Sequence, residues 1–169
     1  MMNSFSQAVI TVVGQNHGAK KTNRIQKTII YSVFQVTVIG AAVSFTLLAL
    51  TPILVQLFIN PEQGNPTLVT DAAVFRSSII LSTYFLCGIM DNLAGFMRAI
   101  GRTFISMIVS LSGACLLRII WVKLIFPINP VQTTLYLCYP ITWGVTAITL
   151  AICCIFFIKK FKKQQGATI

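Results

Sequence analysis

The sequence predicts an all-α, polytopic membrane helix bundle, and two features of the chain lead to this fold class. The 169 residues are 56% hydrophobic and only 9% charged, with a mean hydropathy of +0.82, whereas soluble domains carry roughly 25% charged residues. The apolar residues form long runs that end at lysine, arginine or proline. Such runs are typical of helices that cross a bilayer, and a chain of this length leaves no room for a separate soluble domain.

Four of the apolar runs are long enough to cross the ~30 Å hydrocarbon core of a bilayer. No charged residue lies between Lys27 and Glu62, and the later runs end at basic residues or at prolines. The segment from Asn60 to Pro66 is rich in turn-forming residues, which indicates a loop. We expect four transmembrane helices over about residues 28–59, 74–97, 104–125 and 133–158, followed by a tail over 159–169.

The basic residues predict how the bundle is oriented. Lysine and arginine are concentrated before the first span, between the second and third spans, and after the fourth span, whereas the other two loops carry neither. Because short basic loops stay in the cytoplasm, we expect a multi-pass protein of the plasma membrane with both termini cytoplasmic. Aromatic residues flank the second outer loop, as an interfacial belt should: Trp121, Phe126, Tyr136, Tyr139 and Trp143.

Several classes of function have no support in the sequence. The formal charge of +10 does not indicate nucleic-acid binding, because the cations lie at the ends of apolar runs, where they anchor helices to headgroups. The five cysteines lie in apolar stretches without paired ligand spacing, so we interpret them as packing residues. No catalytic triad, zinc motif or nucleotide-binding loop is present. We therefore expect neither an enzyme nor a metal site.

Asp91 is a carboxylate well inside an apolar run. A charge at that depth costs ~2.5–3.5 kcal/mol on insertion scales, so such a residue is a candidate functional group. Its position seven residues before Arg98 places it ~10 Å from the inner end of the second span. One interpretation is a carboxylate that exchanges a proton or a sodium ion. The other is a protonated, purely structural residue that is hydrogen-bonded to a neighbouring helix.

Two further charged residues lie in the third span. We expect Arg118 to lie about 10 Å farther from the inner side than Asp91, too far for a direct salt bridge. Its guanidinium should meet backbone carbonyls or a water-filled cavity, while Lys123 extends outward to the interface. Small residues recur every four positions on the same span, a spacing typical of close helix packing: Ser106, Ser110 and Ala114.

Short segments of the chain resemble the multidrug and toxic compound extrusion family, known as MATE transporters. Residues 13–20 are similar to the family's Gly-Gln-Asn-x-Gly-Ala segment at the end of its eighth helix. Residues 107–121 are similar to the eleventh helix of a bacterial subgroup. The residues that match the first of these segments are Gly14, Gln15, Asn16 and Gly18.

Two more segments strengthen the resemblance. Gly95, Arg98 and Gly101 match the Gly-x-x-Arg-Gly-x-Gly-x-Thr stretch that follows the family's tenth helix, with Ala99 where a second glycine is usual. The opening of the twelfth helix has the pattern Tyr-Pro-x-Ser/Thr-Trp. That pattern is matched by Tyr139, Pro140 and Trp143.

The resemblance implies the last four of twelve helices in a two-lobed transporter, which exports drugs or organic cations in exchange for protons or sodium. Residues 1–169 would then form part of the C-terminal lobe, and the missing N-terminal lobe would be a partner. Asp91 would be the ion-coupling residue, with Arg118 and Gln35 as cavity or structural candidates. The implied ligands are membrane lipid and amphipathic or cationic small molecules, not nucleic acid, and no cofactor is expected beyond the coupling ion.

Three alternatives stay open. A small oligomeric pore would show a polar stripe repeated at helical spacing on several spans, and the sequence has none. A relative of the lipid-linked saccharide flippases would have a more cationic cavity than Arg118 and Lys123 provide. An inactive truncated product is the third, because rocking of one lobe against the other requires both lobes.

Overall fold

The computed structural model describes residues 2–56 and 66–166. Within these two ranges the chain is helical and contains no strand, in agreement with the predicted all-α membrane bundle. The predicted loop from Asn60 to Pro66 lies outside the described residues except for Pro66, which begins a helix. The outermost part of the first predicted span and residues 167–169 of the tail also lie outside them. The helices, in chain order, are α1 Met2–Gly18, α2 Thr22–Gln56, α3 Pro66–Ser82, α4 Tyr84–Ala99, α5 Thr103–Ile125 and α6 Gln132–Gly166. Within α5, the segments Ser112–Leu116 and Trp121–Ile125 are π-helical.

Three of these helices, α2, α5 and α6, are each long and apolar enough to cross a membrane. They correspond to the first, third and fourth predicted spans. Helix α2 begins at Thr22, a turn and a half before the predicted start at residue 28. Helix α6 continues beyond Lys159 to Gly166, because lysine and glutamine are good helix formers. The predicted tail is therefore a helical extension as far as it is described.

The second predicted span is broken. Helices α3 and α4 meet at Thr83 with a bend of 41°. The hydroxyls of Ser82 and Thr83 both donate hydrogen bonds to the carbonyl of Ile79, at 3.1 and 3.0 Å. Such side-chain bonds to carbonyls one turn earlier compete with the helical backbone ladder and bend helices. The apolar run over residues 74–97 predicted one uninterrupted span, so this break was not predicted.

Helix α4 lies at the centre of the described bundle. It packs against α1, α2 and α6, and its C-terminal half is almost completely buried. Phe96 and Met97 of α4 are buried together with Val13 of α1 and Leu150 of α6. Ser106 of the predicted small-residue pattern donates a hydrogen bond to the carbonyl of Ala94 at 3.2 Å, which holds α5 against α4. Residues on α4 are therefore positioned by every neighbouring helix.

The basic segments lie together at one end of the bundle, called here the basic end. The ring of His17, at the end of α1, is 4.8 Å from the ring of Phe161 near the end of α6. The guanidinium carbon of Arg102, in the turn after α4, is 5.3 Å from the ring centroid of Phe157. At the opposite end, Trp121 Nε1 donates a hydrogen bond to the carbonyl of Thr134 at 2.9 Å and joins α5 to α6.

Gly101 terminates α4 with a left-handed backbone conformation. Its φ is +76°, a region that favours glycine because it has no Cβ. The N–H of Gly101 donates to the carbonyl of Arg98 at 3.1 Å, and the N–H of Arg102 donates to the carbonyl of Met97 at 2.9 Å. This pair of bonds is a Schellman cap, and it reverses the chain between α4 and α5.

We predict that Gly101→Ala lowers the free energy of unfolding by about 1–2 kcal/mol, because a Cβ is strained in the left-handed region. Gly14→Ala is the matched control, since neither glycine has an atom within 4 Å of a built Cβ and Gly14 lies inside α1. The control should be stabilising by roughly 0.5–1 kcal/mol. Unfolding by SDS titration in detergent micelles measures both variants. Equal effects of the same sign would contradict the assignment of the cap.

Candidate ion-coupling site

Asp91 lies in the middle of α4, seven residues after Tyr84 begins the helix. This places it about 10 Å along the helix from the break at Thr83. Tyr84, Cys87 and Asp91 share one face of α4, because they are spaced by three and four residues. The ring of Tyr84 packs edge-on against Trp143 of α6 with 5.8 Å between centroids. The half-buried Asp91 side chain thus lies on the same face as Tyr84, which contacts α6.

Arg98 lies seven residues after Asp91 on α4 and is linked to it through Ser6. Its Nη2 donates a hydrogen bond to Ser6 Oγ at 3.0 Å, and Ser6 Oγ donates to the backbone carbonyl of Asp91 at 2.8 Å. Ser6 is 1% exposed. The hydroxyl therefore links the motif arginine to the backbone of the candidate coupling residue and ties both to α1.

Gly95 makes this arrangement possible. A Cβ at this position would lie 2.6 Å from Ser6 Oγ and 3.0 Å from the backbone carbonyl oxygen of Ser6. Because one of these atoms is backbone, a side-chain rotation alone would not relieve the contact. Gly95 therefore permits the close approach of α1 and α4. This approach brings Ser6 within hydrogen-bond distance of Arg98, which belongs to the same motif.

Asn92 is a polar residue of the site that the sequence analysis missed. It is 2% exposed, and neither its Oδ1 nor its Nδ2 has a hydrogen-bond partner among the described residues. An unsatisfied buried polar group costs about 1–3 kcal/mol, so such an amide calls for a structural or functional explanation. It directly follows Asp91, and two adjacent polar residues inside an apolar run are the signal that could have found it. Its amide offers both an acceptor and donors beside the carboxylate.

Arg118 lies in a second, separate region of α5. Its guanidinium carbon is 4.4 Å from the ring centroid of Tyr139 on α6, a distance at which a cation–π interaction forms. The side chain lines a cleft of about 350 Å³ together with Arg76 and Tyr136. The aromatic partner of Arg118 was not predicted. Lys123, one to two turns farther along, is exposed.

Gln35 is not brought together with Arg118. It is exposed on α2 and lines a groove of about 280 Å³ between α1 and α2, with Thr28 and Ser32 beside it. None of the residues that line this groove also lines the cleft of Arg118. Gln35 and Arg118 therefore line separate surfaces of the described bundle.

The remaining motif residues lie at the basic end and at the opposite end. In the α1 motif, which also contains Gln15, Asn16 Nδ2 donates to the carbonyl of Val12 at 2.8 Å. Gly18 has open space where a Cβ would stand. Pro140 lies inside α6. Trp143 is buried, and its ring is 5.8 Å from the rings of both Tyr84 and Tyr139.

These contacts form an aromatic connection between the two charged regions. Tyr139 meets Arg118 on one side and Trp143 on the other, and Trp143 meets Tyr84 at the start of α4. The described residues hold no group of three or more His, Cys, Asp or Glu side chains that could bind a metal ion.

A bundle of membrane-crossing helices with a broken span and a carboxylate inside it has the architecture of secondary transporters. The model of the MatE family matches residues 1–122, and the chain belongs to this family. The resemblance recognised in the sequence is thereby confirmed.

A solved structure shows the same fold. It is described as the inward-facing conformation of a multidrug resistance MATE family transporter of the MOP superfamily. The TM-score is 0.83 at 15% sequence identity, and the match covers 94% of this chain and 36% of that one. The chain therefore spans about a third of the length of the transporter that it matches. No curated protein matches it.

Proposed function

We propose that the chain is part of the C-terminal lobe of a secondary antiporter that exports drugs or other organic cations in exchange for protons or sodium. The observation that carries this proposal is Asp91, a carboxylate two turns beyond the 41° break in a membrane span of a MatE family chain. Transporters place coupling ions near the midplane, beside interrupted helices, because the interruption exposes polar groups to a cavity.

In the proposed cycle, Asp91 holds a proton or a sodium ion in one access state and releases it in the other. Asn92 contributes an amide next to the carboxylate, and the Ser6 hydroxyl keeps the backbone of Asp91 in place through its 2.8 Å bond. Arg98 assists by holding Ser6 through its 3.0 Å hydrogen bond. A companion N-terminal lobe supplies the other wall of the cavity, and rocking of the lobes alternates access.

The proposed orientation follows from the basic end. The turns after α1 and α4 and the lysine-rich end of α6 lie together there, and basic segments are retained on the cytoplasmic side. The turns after α1 and α4 and the end of α6 are therefore assigned to the cytoplasm, with the protein in the plasma membrane. Met2, at the other end of α1, is buried against Gly40 and Gly88 inside the bundle, so the expectation of a cytoplasmic N-terminus does not hold for the described chain. The substrates in this proposal are amphipathic or cationic small molecules that reach the transporter through the lipid, and the protein transports rather than catalyses.

Dye efflux from proteoliposomes separates the proposed function from its alternatives. The assembled transporter, this chain together with its companion lobe, is reconstituted with a fluorescent lipophilic cation inside, and proton or sodium gradients are imposed. The proposal expects efflux that requires one of these gradients and stops when an ionophore collapses it.

Other outcomes would assign the chain differently. Efflux of ions and dye without a gradient would identify a pore. Movement of a labelled lipid-linked saccharide without movement of the cation would identify a flippase. An absence of transport from the complete assembly would identify an inactive product. Any of these three results overturns the antiporter proposal.

A further inference from the structure

We propose that the cleft lined by Arg76, Arg118, Val122, Leu135, Tyr136 and Tyr139, called here the outer cleft, binds a phosphate group. Its volume of about 350 Å³ lies within the range of small-molecule sites, ~300–1,000 Å³. This inference goes beyond the proposed antiport, since phosphate binding at the outer cleft requires neither an ion gradient nor Asp91.

The charge of the outer cleft selects an anion. Two arginines line it, and no carboxylate does so among the described lining residues. An arginine at membrane depth is costly unless it is paired, and guanidinium groups bind phosphate oxygens through paired, charge-assisted hydrogen bonds.

The geometry of Arg118 leaves hydrogen-bond donors for such a ligand. The guanidinium carbon lies over the ring of Tyr139, 4.4 Å from the ring centroid. A guanidinium carries five N–H donors in a fixed fork, so one ring contact leaves donors for an anion. The Nε atom of Arg118 is buried and has no hydrogen-bond partner within the described part of the chain. An anionic oxygen in the outer cleft would satisfy it.

The surroundings of the cleft favour an amphiphile. Arg118 is seven residues before Ile125 ends α5, and Leu135 and Tyr136 lie in the first turns of α6. The cleft therefore lies about 10 Å below the end of the bundle opposite the basic end. Val122 and Leu135 line it and are 43% and 38% exposed. A ligand whose phosphate binds the two arginines and whose apolar chain packs on Val122 and Leu135 fits both the charged and the apolar part of the cleft.

Two sources can supply this phosphate. One is the headgroup of a phospholipid from the neighbouring leaflet, and the other is a phosphate-bearing solute. The two arginines and the phenol hydroxyls of Tyr136 and Tyr139 provide hydrogen-bond donors for either source. Only the lipid would use the apolar side chains of Val122 and Leu135.

Isothermal titration calorimetry on the full chain in an uncharged detergent tests the proposal. The probes are a short-chain phosphatidic acid and inorganic phosphate, applied to wild type and to Arg118→Gln, Arg76→Gln and Lys123→Gln. Lys123 is the matched control, because it lies on α5, is exposed, loses the same charge and does not line the cleft. Size-exclusion elution verifies that each variant is folded. Arg76 is exposed on α3, so its variant should fold even if Arg118→Gln does not.

We expect saturable binding of the phosphatidic acid that each arginine substitution weakens about tenfold or more, with less than a twofold change in Lys123→Gln. Competition by inorganic phosphate at similar concentrations would identify the free anion as the ligand, and its failure to compete would identify the lipid. Unchanged binding in both arginine variants, or an equal loss in Lys123→Gln, overturns the proposal.

Discussion

Asp91→Asn is expected to abolish gradient-driven export by the assembled transporter, down to the level of vesicles without protein. The amide has nearly the same shape as the carboxylic acid but carries no titratable proton and no charge. The hydrogen bond from Ser6 to residue 91 goes to the backbone carbonyl, so the substitution leaves it in place. The helix contacts should therefore persist while ion exchange is lost, and substrate binding should be retained. Proton-driven or sodium-driven dye efflux measures the effect.

Asp71→Asn is the matched control for this experiment. Asp71 is exposed in the second turn of α3, on the other side of the break from Asp91, and undergoes the same chemical change. Export should be normal in this variant. If Asp91→Asn exports substrate and keeps its coupling to the gradient, Asp91 is a structural residue and the coupling site lies elsewhere.

Gly113→Ala is expected to separate α5 from α6 and to lower the free energy of unfolding by about 1–3 kcal/mol, the usual range for overpacking. A Cβ at Gly113 would overlap Thr146 Oγ1 and lie 2.8 Å from Thr146 Cβ. Thr146 has little freedom to move, because it is 2% exposed and its hydroxyl donates to the carbonyl of Thr142 at 2.6 Å. The midpoint of thermal unfolding in micelles measures the loss.

Gly144→Ala provides the control, since it makes the same substitution inside α6 where no atom lies within 4 Å of the new Cβ. It should be neutral or slightly stabilising, because alanine is the better helix former. Thr146→Ala combined with Gly113→Ala removes the atoms that clash most and should recover part of the stability. A Gly113→Ala protein as stable as wild type would mean that α5 and α6 are not in close contact there.

The spans could be predicted because a bilayer imposes a strong constraint. Each crossing helix needs about 20 apolar residues, and its charged ends must lie outside the hydrocarbon. The apolar runs that have Lys27, Arg102 and Lys159 at their cytoplasmic ends satisfy this constraint in the sequence itself. The break at Thr83 could not be predicted, because serine and threonine occur in straight helices as well. Whether their hydroxyls bend the chain depends on the packing of neighbouring helices.

The candidate site could be predicted only in part, for a related reason. Asp91 is conspicuous because carboxylates inside apolar runs are rare. Its partner Ser6 is 85 positions away, and only the tertiary approach of α1 to Gly95 brings the two residues together. Arg76 is the third residue of the second predicted span, and nothing in the sequence indicates its neighbour. Its association with Arg118 depends on how α3 packs against α6 after the break.

The apparent mass of the protein that carries this chain in native membranes most directly tests the proposal of one lobe within a two-lobed antiporter. An antibody raised against the lysine-rich segment that begins at Lys159 detects it on an immunoblot. The predicted result is a band much larger than 18.6 kDa, or a band near 18.6 kDa that co-purifies with a second membrane protein. A single band near 18.6 kDa without any co-purifying partner would contradict it.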